Sequence, residues 1–361
     1  MTAIARIGIL NDVADFAGDD EEVRDLTFWI ERECSALRAS GRLDATPEFV
    51  HAYGLGLPSG TAEALEGAFA TLAGAGVCLV IGPSTGENAL AVMAMAERTR
   101  TPTLAPASSE RARSPYMFQY QVGSDEEEGL VIARHLAARA ARRIAVFHEM
   151  SPTGERHLRA LRAEAEVLGL QIVALRALCP TGSEDDIAPA LAALVANDAD
   201  GLAVLGPHMP LGAIAQALGE NGWHGTRVAG ASGIHGWPAR DLALLEGWYH
   251  VSNYCEGNRR FAAILSETGG DRASAASLAT GHDVGRLVAE ALARAEGTQP
   301  EQLRRGLEQV RALPAAAGEE GTLLGFGPQD RGALHGQHLI IRQWRQGSSR
   351  EVDDTPGLIE A

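Results

Sequence analysis

A candidate catalytic turn follows an apolar run near residue 80. The stretch VCLVIGPSTGENALAV, residues 77–92, has the pattern of a buried strand, a turn and the start of a helix. Gly82 to Gly86 satisfy G-x-S-x-G, the motif that presents a nucleophilic serine in serine hydrolases. The spacing makes Ser84 a candidate nucleophile.

The same turn also suits a binding role without a reaction. Ser84, Thr85 and the free backbone N–H groups at the start of the helix would hold a carboxylate or another acceptor. Pro83 restricts the sharp elbow that a nucleophile needs. No motif distinguishes the acid and base of a triad, such as Asp283 and His335. The sequence therefore favours a binding turn with no catalytic residue, and a serine hydrolase using Ser84 remains an alternative.

Composition excludes several classes of function. The chain has 361 residues, and all 31 basic residues are Arg, so neither a P-loop lysine nor a Schiff-base lysine is available. The net charge of -16 and the scattered arginines argue against a nucleic-acid partner. No apolar run approaches the length of a membrane span, so direct insertion into a membrane is not expected.

No cofactor or metal is expected. The glycines from Gly54 to Gly60 have the spacing G-x-G-x-x-x-G with a proline inside, which fails the dinucleotide fingerprint. The four cysteines, Cys34, Cys78, Cys179 and Cys255, have no metal-type spacing. The opening MTAIARIGILNDV lacks the features of a signal peptide, so the sequence as written predicts a cytoplasmic location, or a periplasmic one if a signal has been trimmed.

Apolar runs alternate with segments of helical period along most of the chain. ARIGIL, PEFVHAY, GVCLVIG and TPTLAP come first, and after YMFQYQVGS the order begins again with RIAVFHE, LQIVALRA, GLAVLGP and TRVAG. This alternation implies α/β lobes with parallel sheets and right-handed crossovers. RIGILND resembles RIAVFHE, and VIGP resembles VLGP, so we expect two similar lobes. A strand at GWYHVSNY, a long helix, a hairpin-like tail and a loose terminus from GSSRE onward complete the prediction.

An ordered set of motifs gives the chain a family resemblance. LVIGPSTGENALAV, TPTLAPASSE, FQYQVGS, RIAVFHEMSPTGE, GLAVLGPHMP and GTLLGFGPQDRG follow the opening IGIL over nearly the whole chain. Together they resemble the type I periplasmic binding proteins, specifically the leucine/isoleucine/valine-binding branch of ABC transporter substrate-binding proteins. The resemblance implies two Rossmann-like lobes with three crossings, a ligand cleft between them and closure by hinge motion. It places the N-terminal lobe at 1–120 plus 251–326 and the C-terminal lobe at 121–250 plus 327–361.

The resemblance also implies where a ligand binds. In amino-acid-binding members the turns after the third and fourth strands hold the ligand's carboxylate, while an aromatic and an acidic residue hold its ammonium. The last two positions are Thr153 and Ser232 here, and a buried ammonium without a carboxylate partner is costly. Met150 and Met209 also suit packing inside a lobe. The expected ligand-binding residues are Ser84, Thr85, Ala107, Ser108, Ser109, Thr153, His208, Met209, Ser232, His282, Phe16 and Met150.

The predicted function is non-catalytic binding of a small molecule. We expect a carboxylate or neutral ligand with an apolar body, and we expect standard amino acids to bind poorly. The resemblance implies that the chain is the substrate-binding component of an ABC-type importer, with the transporter's membrane subunits as partners. A cytoplasmic ligand-sensing regulator of the same fold is the alternative.

Overall fold

A computed structural model of the protein describes residues 3–13, 26–57, 59–107, 109–121, 127–179, 184–206, 209–231, 242–268 and 275–352. The helices and strands are β1 (Ile4–Asn11), α1 (Leu26–Ala39), β2 (Thr46–Tyr53), α2 (Ala62–Gly74), β3 (Leu79–Ile81), α3 (Gly86–Thr99), β4 (Thr103–Ala105), β5 (Met117–Gln121), α4 (Glu127–Ala138), β6 (Arg143–Glu149), α5 (Pro152–Leu168), β7 (Gln171–Leu178), α6 (Glu184–Ala196), β8 (Gly201–Leu205), α7 (Leu211–Glu220), β9 (Thr226–Ala229), β10 (Tyr249–Ser252), α8 (Arg259–Thr268), α9 (Ala275–Arg294), α10 (Pro300–Glu308), β11 (Leu313–Pro314), β12 (Leu323–Leu324), β13 (Gly332–His335), β14 (Ile340–Arg345) and β15 (Ser348–Glu351).

The chain divides into two compact units. Unit 1 comprises Met1–Ser124 and Tyr254–His338, and unit 2 comprises Asp125–Asn253 and Leu339–Ala361. Each unit is built on one sheet, and the chain passes from one unit to the other three times.

The sheet of unit 1 has the strand order β11-β12-β13-β5-β4-β3-β1-β2. Strands β1 to β5 pair in parallel. The sequences LVI of β3 and TLA of β4 expose no side chain, as expected for central strands of a parallel sheet. Parallel pairing brings the carboxyl ends of these strands to one edge of the sheet, where their turns can share a ligand.

Helices cover both faces of this sheet. On one face Trp29 of α1 packs into a core with α9 and the strand residues Phe118 and Tyr120. A Cβ at Gly285 of α9 would lie 2.7 Å from the carbonyl oxygen of Trp29, so this glycine permits the close approach of the two helices. The opposite face holds a second core from α2 and α3, to which Met117 contributes.

Unit 2 repeats the arrangement with the strand order β15-β14-β10-β9-β8-β6-β7. Strands β6 to β10 pair in parallel, whereas β14 and β15 are antiparallel additions at one edge. Phe147, Trp248 and Trp344 are the large side chains of a core that α6 and α7 complete. None of the helices among the described residues is both long and apolar enough to cross a membrane.

The last part of the chain differs from the expected hairpin-like tail. Strand β13 pairs in parallel with β5 in unit 1, and β14 pairs with β10 in unit 2. The third crossing therefore falls at 338/339 instead of 326/327, because residues 327–338 complete the first sheet. Residues 348–351, expected at the start of a loose terminus, form β15 against β14.

Candidate functional site

The turn after β3 carries Ser84 and Thr85 at the carboxyl edge of the unit 1 sheet. Gly82 has a φ of 107°, and a Cβ there would lie 2.6 Å from the carbonyl oxygen of Leu10, so the turn requires glycine. The Ser84 side chain is exposed, and Thr85 is the N-cap residue of α3. Its hydroxyl does not cap the helix, and this buried oxygen has no hydrogen-bond partner among the described residues. The Thr85 hydroxyl is therefore available to a ligand that enters the turn.

A buried carboxylate holds the same turn in place through a hydrogen bond. Asp12, 1% exposed at the end of β1, accepts hydrogen bonds from the Ser84 backbone N–H at 2.8 Å and from Asn88 Nδ2 at 2.7 Å. The N–H groups of this turn were expected to hold a ligand, and Asp12 was not among the expected site residues. Since the Ser84 N–H is already satisfied within the protein, a ligand in this turn depends on the side-chain hydroxyls and on the N–H groups farther along.

The loop after β4 supplies a second set of polar groups. Ala107 and Ser109 are both buried, and the Ser109 backbone N–H donates to the side-chain oxygen Oε1 of Gln119 on β5 at 2.6 Å. The Ser109 hydroxyl and the Gln119 nitrogen Nε2 are buried, and neither has a hydrogen-bond partner in the described ranges. Buried polar groups without partners are rare in folded proteins, and a bound molecule is one way in which they become satisfied.

An apolar surface of unit 1 is connected to the turn after β3. Four exposed side chains near the carboxyl ends of β1 and β2 form this apolar rim: Val13, Tyr53, Leu55 and Leu57. Gly54 and Gly56 alternate with the leucines and face inward, where a Cβ would lie 2.4 Å from the Ala64 carbonyl oxygen and 2.5 Å from the Asn88 side chain. The Gly-Leu-Gly-Leu segment does not match a dinucleotide motif. Its glycines permit close packing against α2 and α3, and its leucines remain exposed.

In unit 2 the expected residues are dispersed between surface and core. Thr153, near the start of α5, is buried, and its hydroxyl accepts from the guanidinium of Arg156 at 2.9 Å. Met150, after β6, is 63% exposed, whereas Met209 is 6% exposed and belongs to the hydrophobic core. Met209 therefore packs as an ordinary core residue, the second of the two roles considered for it.

Two buried carboxylates of unit 2 were missed by the sequence analysis. Glu128 on α4 accepts a hydrogen bond from the Ala231 backbone N–H at 3.0 Å, beyond the end of β9. Glu149 is buried at the end of β6, and a Cβ at Gly206 would lie 2.5 Å from the Cβ of Glu149. Both carboxylates lie near strand ends of unit 2. The likeness of RIGILND to RIAVFHE aligns Glu149 with Asp12 and was the available signal.

His282 is buried within unit 1. It is 3% exposed on α9, its ring makes an edge contact with Trp29, and Nδ1 lies 3.1 Å from the carboxylate of Asp283. Asp283 also accepts hydrogen bonds from the hydroxyl of Tyr120 and from two backbone N–H groups, so it is fully engaged inside unit 1. This packing gives His282 a structural role in the interior of the unit.

The two described residues that were considered as acid and base for Ser84, Asp283 and His335, contact other groups. Asp283 has the partners just described, and Nε2 of His335 lies 3.1 Å from the carbonyl oxygen of Gly325. The backbone of Ser84 is not among the described residues with positive φ, unlike the strained elbow of a nucleophile. Four expected ligand-binding residues lie outside the described residues, namely Phe16, Ser108, His208 and Ser232.

Solved structures share the fold over nearly the whole chain. A substrate-binding protein of an ABC transporter from Desulfitobacterium hafniense, in complex with Leu, is 20% identical with a TM-score of 0.75, covering 97% of this chain and 100% of its own. A branched chain amino acid ABC transporter protein from Thermus thermophilus with bound valine is 15% identical with a TM-score of 0.73, covering 98% and 96%. The leucine binding protein LivK from Thermotoga maritima is 15% identical with a TM-score of 0.70, covering 96% and 97%.

The sequence itself matches the family model described as periplasmic binding protein over residues 59–345, which is more than half of the chain. A comparison with curated protein sequences gives no match. The resemblance indicated by the ordered motifs is confirmed, and so is the expected α/β class with two units of mainly parallel sheet. The chain belongs to the periplasmic binding protein family.

Proposed function

We propose that this protein is the substrate-binding component of an ABC importer and binds a small organic molecule without reacting with it. The observation that carries the proposal is a pair of hydroxyls in the turns after β3 and β4, Thr85 Oγ1 and Ser109 Oγ, which have no hydrogen-bond partner within the part of the chain that the structure describes. Strands β3 and β4 are parallel neighbours, so both hydroxyls belong to the carboxyl edge of one sheet. Members of this family use that edge for ligands, and the hydroxyls can satisfy a carboxylate or a neutral polar group.

The apolar rim favours a ligand with an apolar body. Tyr53 is 76% exposed, and the rim is joined to the binding turn because the Gly56 N–H donates to the Asp12 carbonyl oxygen and the Leu57 N–H donates to Asn88 Oδ1. Covering exposed apolar area contributes roughly 25 cal/mol for each Å² that is removed from water. A ligand with an aliphatic or aromatic body gains from this surface, whereas a small polar solute does not.

The charges of unit 2 argue against a standard amino acid as the ligand. The guanidinium of Arg156 donates to Thr153, the position where relatives are expected to hold the ammonium. A ligand ammonium there would meet a positive charge. Glu128 offers a carboxylate in the same unit, but its Oε2 already accepts a hydrogen bond from the Ala231 N–H. We therefore expect the acid or amide analogue of an apolar amino acid to bind better than the amino acid.

Thermal unfolding with matched ligands tests this function. The panel contains 4-methylpentanoate, 4-methylpentanamide and leucine, then 3-phenylpropanoate, 3-phenylpropanamide and phenylalanine, so that each set shares one apolar body. A ligand present at a hundredfold above its Kd adds about 2.7 kcal/mol to the free energy of unfolding. We expect stabilisation by at least one acid or amide and weaker stabilisation by its amino acid.

The Thr85→Val variant serves as the probe of the site, because valine keeps the shape of threonine and removes its hydroxyl. Thr71→Val is the control, since the Thr71 hydroxyl donates to the Gly67 carbonyl oxygen within α2, away from the turn. The probe variant should lose most of the stabilisation by the panel, and the control should retain it. Stabilisation by leucine above both of its analogues would contradict the proposed ligand class, and no stabilisation by any compound would contradict the binding function.

A further inference from the structure

We infer that Gln119 determines ligand specificity by donating a hydrogen bond from its side-chain amide to an acceptor oxygen of the ligand. This inference rests on the proposed function and narrows the ligand class to molecules whose polar end is a carboxylate or an amide carbonyl. Gln119 was not among the residues expected from the sequence.

The orientation of the Gln119 amide follows from its partner. The backbone N–H of Ser109 can only donate, so the atom that faces it at 2.6 Å is the carbonyl oxygen Oε1. The nitrogen Nε2 therefore points elsewhere with two N–H donors. The Gln119 side chain thus binds the loop that carries Ser109 through Oε1 and places the Nε2 donor next to that loop.

The burial of Gln119 Nε2 indicates that this donor binds an acceptor of the ligand. The Gln119 side chain is fully buried, and Nε2 has no hydrogen-bond partner among the described residues. An amide donor that is removed from water without a partner is unfavourable, and structures rarely keep one unless something binds to it. Since Oε1 is already engaged, a ligand gains from this side chain only by offering an acceptor.

Gln119 lies on the face of the sheet that the binding turn uses. Side chains alternate along β5, so Gln119 shares a face with Met117, while Phe118 and Tyr120 enter the core with α1 and α9. Met117 belongs to the other core, which includes α3 residues such as Val92. The unpartnered Gln119 donor and the Thr85 hydroxyl at the start of α3 therefore belong to the same face of the sheet.

Replacing Gln119 by glutamate tests the assignment. Gln119→Glu keeps an acceptor for the Ser109 N–H and exchanges the N–H donors for a carboxylate oxygen. A carboxylate ligand then meets a negative charge, whereas an amide ligand can donate its own NH₂ group to the new acceptor. We expect the ratio of affinities for 4-methylpentanoate over 4-methylpentanamide, measured by calorimetry, to fall at least tenfold, with the same change for the phenylpropanoate pair.

Gln121→Glu is the matched control. It introduces the same charge on the same strand and face, two residues away, and should leave the acid-to-amide ratio within twofold of the wild-type ratio. An unchanged ratio in Gln119→Glu, with both probes still bound by the wild type, would overturn the role of Gln119 and leave the proposed function intact. Failure of every probe to bind the wild type would instead reject the proposed function.

If Gln119→Glu does not fold, a measurement on the wild-type protein tests whether Gln119 binds the ligand. The side-chain ¹⁵NH₂ resonances of Gln119 can be followed during titration with 4-methylpentanoate. A hydrogen bond to the ligand moves them downfield, while those of Gln121 stay in place. Saturation of the protein without any movement of the Gln119 resonances would contradict the inference.

Discussion

The carboxylate of Asp12 accepts a hydrogen bond from the backbone N–H of Ser84 at 2.8 Å, which joins the end of β1 to the turn after β3. Unit 2 has a related arrangement, in which Glu149 at the end of β6 packs against Gly206 after β8. Gly82 and Gly206 have similar φ angles, 107° and 117°. The internal repeat of the sequence therefore extends to a buried acidic side chain beside a glycine turn in each unit.

Asp12 is expected to stabilise unit 1 through this turn. Asp12→Ala leaves the Ser84 N–H and the Asn88 amide without their acceptor and should lower the free energy of unfolding by about 1–3 kcal/mol. Asp12→Asn retains an acceptor and should cost less. Chemical denaturation measures both, with Asp44→Ala as the control because Asp44 is exposed. Equal stability of Asp12→Ala and the control would contradict the role of this contact.

Tyr120 and Asp283 form a second buried contact that can be tested separately. The Tyr120 hydroxyl donates to Asp283 at 3.0 Å, and burial together with this carboxylate raises the pKa of Tyr120. Tyr120→Phe removes only the hydroxyl and should cost about 1 kcal/mol of unfolding free energy. Tyr53→Phe makes the same change at an exposed tyrosine and should cost nothing measurable. A loss of equal size in both variants would refute the contribution of the buried contact.

Stability should fall between pH 6.5 and pH 4 because of two histidines in unit 2. Burial lowers the pKa of His135 and of His157 to about 4, and both rings have buried nitrogen atoms that find no hydrogen-bond partner in the described part of the chain. Below pH 6.5 the unfolded chain therefore takes up protons that the folded protein does not bind. Each histidine should then reduce the unfolding free energy by about 1.4 kcal/mol per pH unit down to its folded pKa.

Urea denaturation at pH 7 and pH 5 measures this effect in the wild type and in His157→Leu. The variant should lose about 2 kcal/mol less than the wild type between the two pH values, because one proton-binding group is absent from its unfolded state. His224→Gln, at an exposed position, should keep the wild-type dependence. Identical losses in all three proteins would show that His157 is not held neutral by burial.

Ser84 should be chemically inert. The acid and base considered for it, Asp283 and His335, are engaged with other partners, so nothing described near Ser84 activates its hydroxyl. A fluorophosphonate probe is expected to leave the native protein unlabelled, as judged by intact mass, while a known serine hydrolase in the same tube is labelled. Stoichiometric labelling that disappears in Ser84→Ala would restore the hydrolase alternative.

The cysteines should differ strongly in their reactivity. Burial raises the pKa of Cys34 and of Cys78 to about 12, so almost no thiolate is present at neutral pH, whereas Cys179 is exposed. A maleimide should therefore modify Cys179 first in the native protein, and Cys34 and Cys78 only after denaturation. Mass spectrometry locates the label, and Cys179→Ser should abolish the fast phase. Rapid native labelling of Cys78 would be inconsistent with its buried position in the sheet.

Local patterns in the sequence determined the order of the elements. The runs ARIGIL, RIAVFHE and GLAVLGP predict strands because their periodicity and composition depend only on neighbouring residues, and they become β1, β6 and β8. The ordered motifs also sufficed to indicate the family. Ser84 and Thr85 were singled out because their turn follows a predicted strand directly, whereas Ser109 was expected from the family resemblance.

The tertiary structure alone decided which polar groups of those turns remain available. Asp12 reaches Ser84 across 72 positions of the chain, and Gln119 turns its oxygen toward Ser109 and leaves its nitrogen free. The same holds for β13, whose short sequence gives no sign that it completes the first sheet beside β5. Hydrogen bonds and strand pairings between distant residues depend on how the strands are ordered in space. Local periodicity in the sequence does not predict that order.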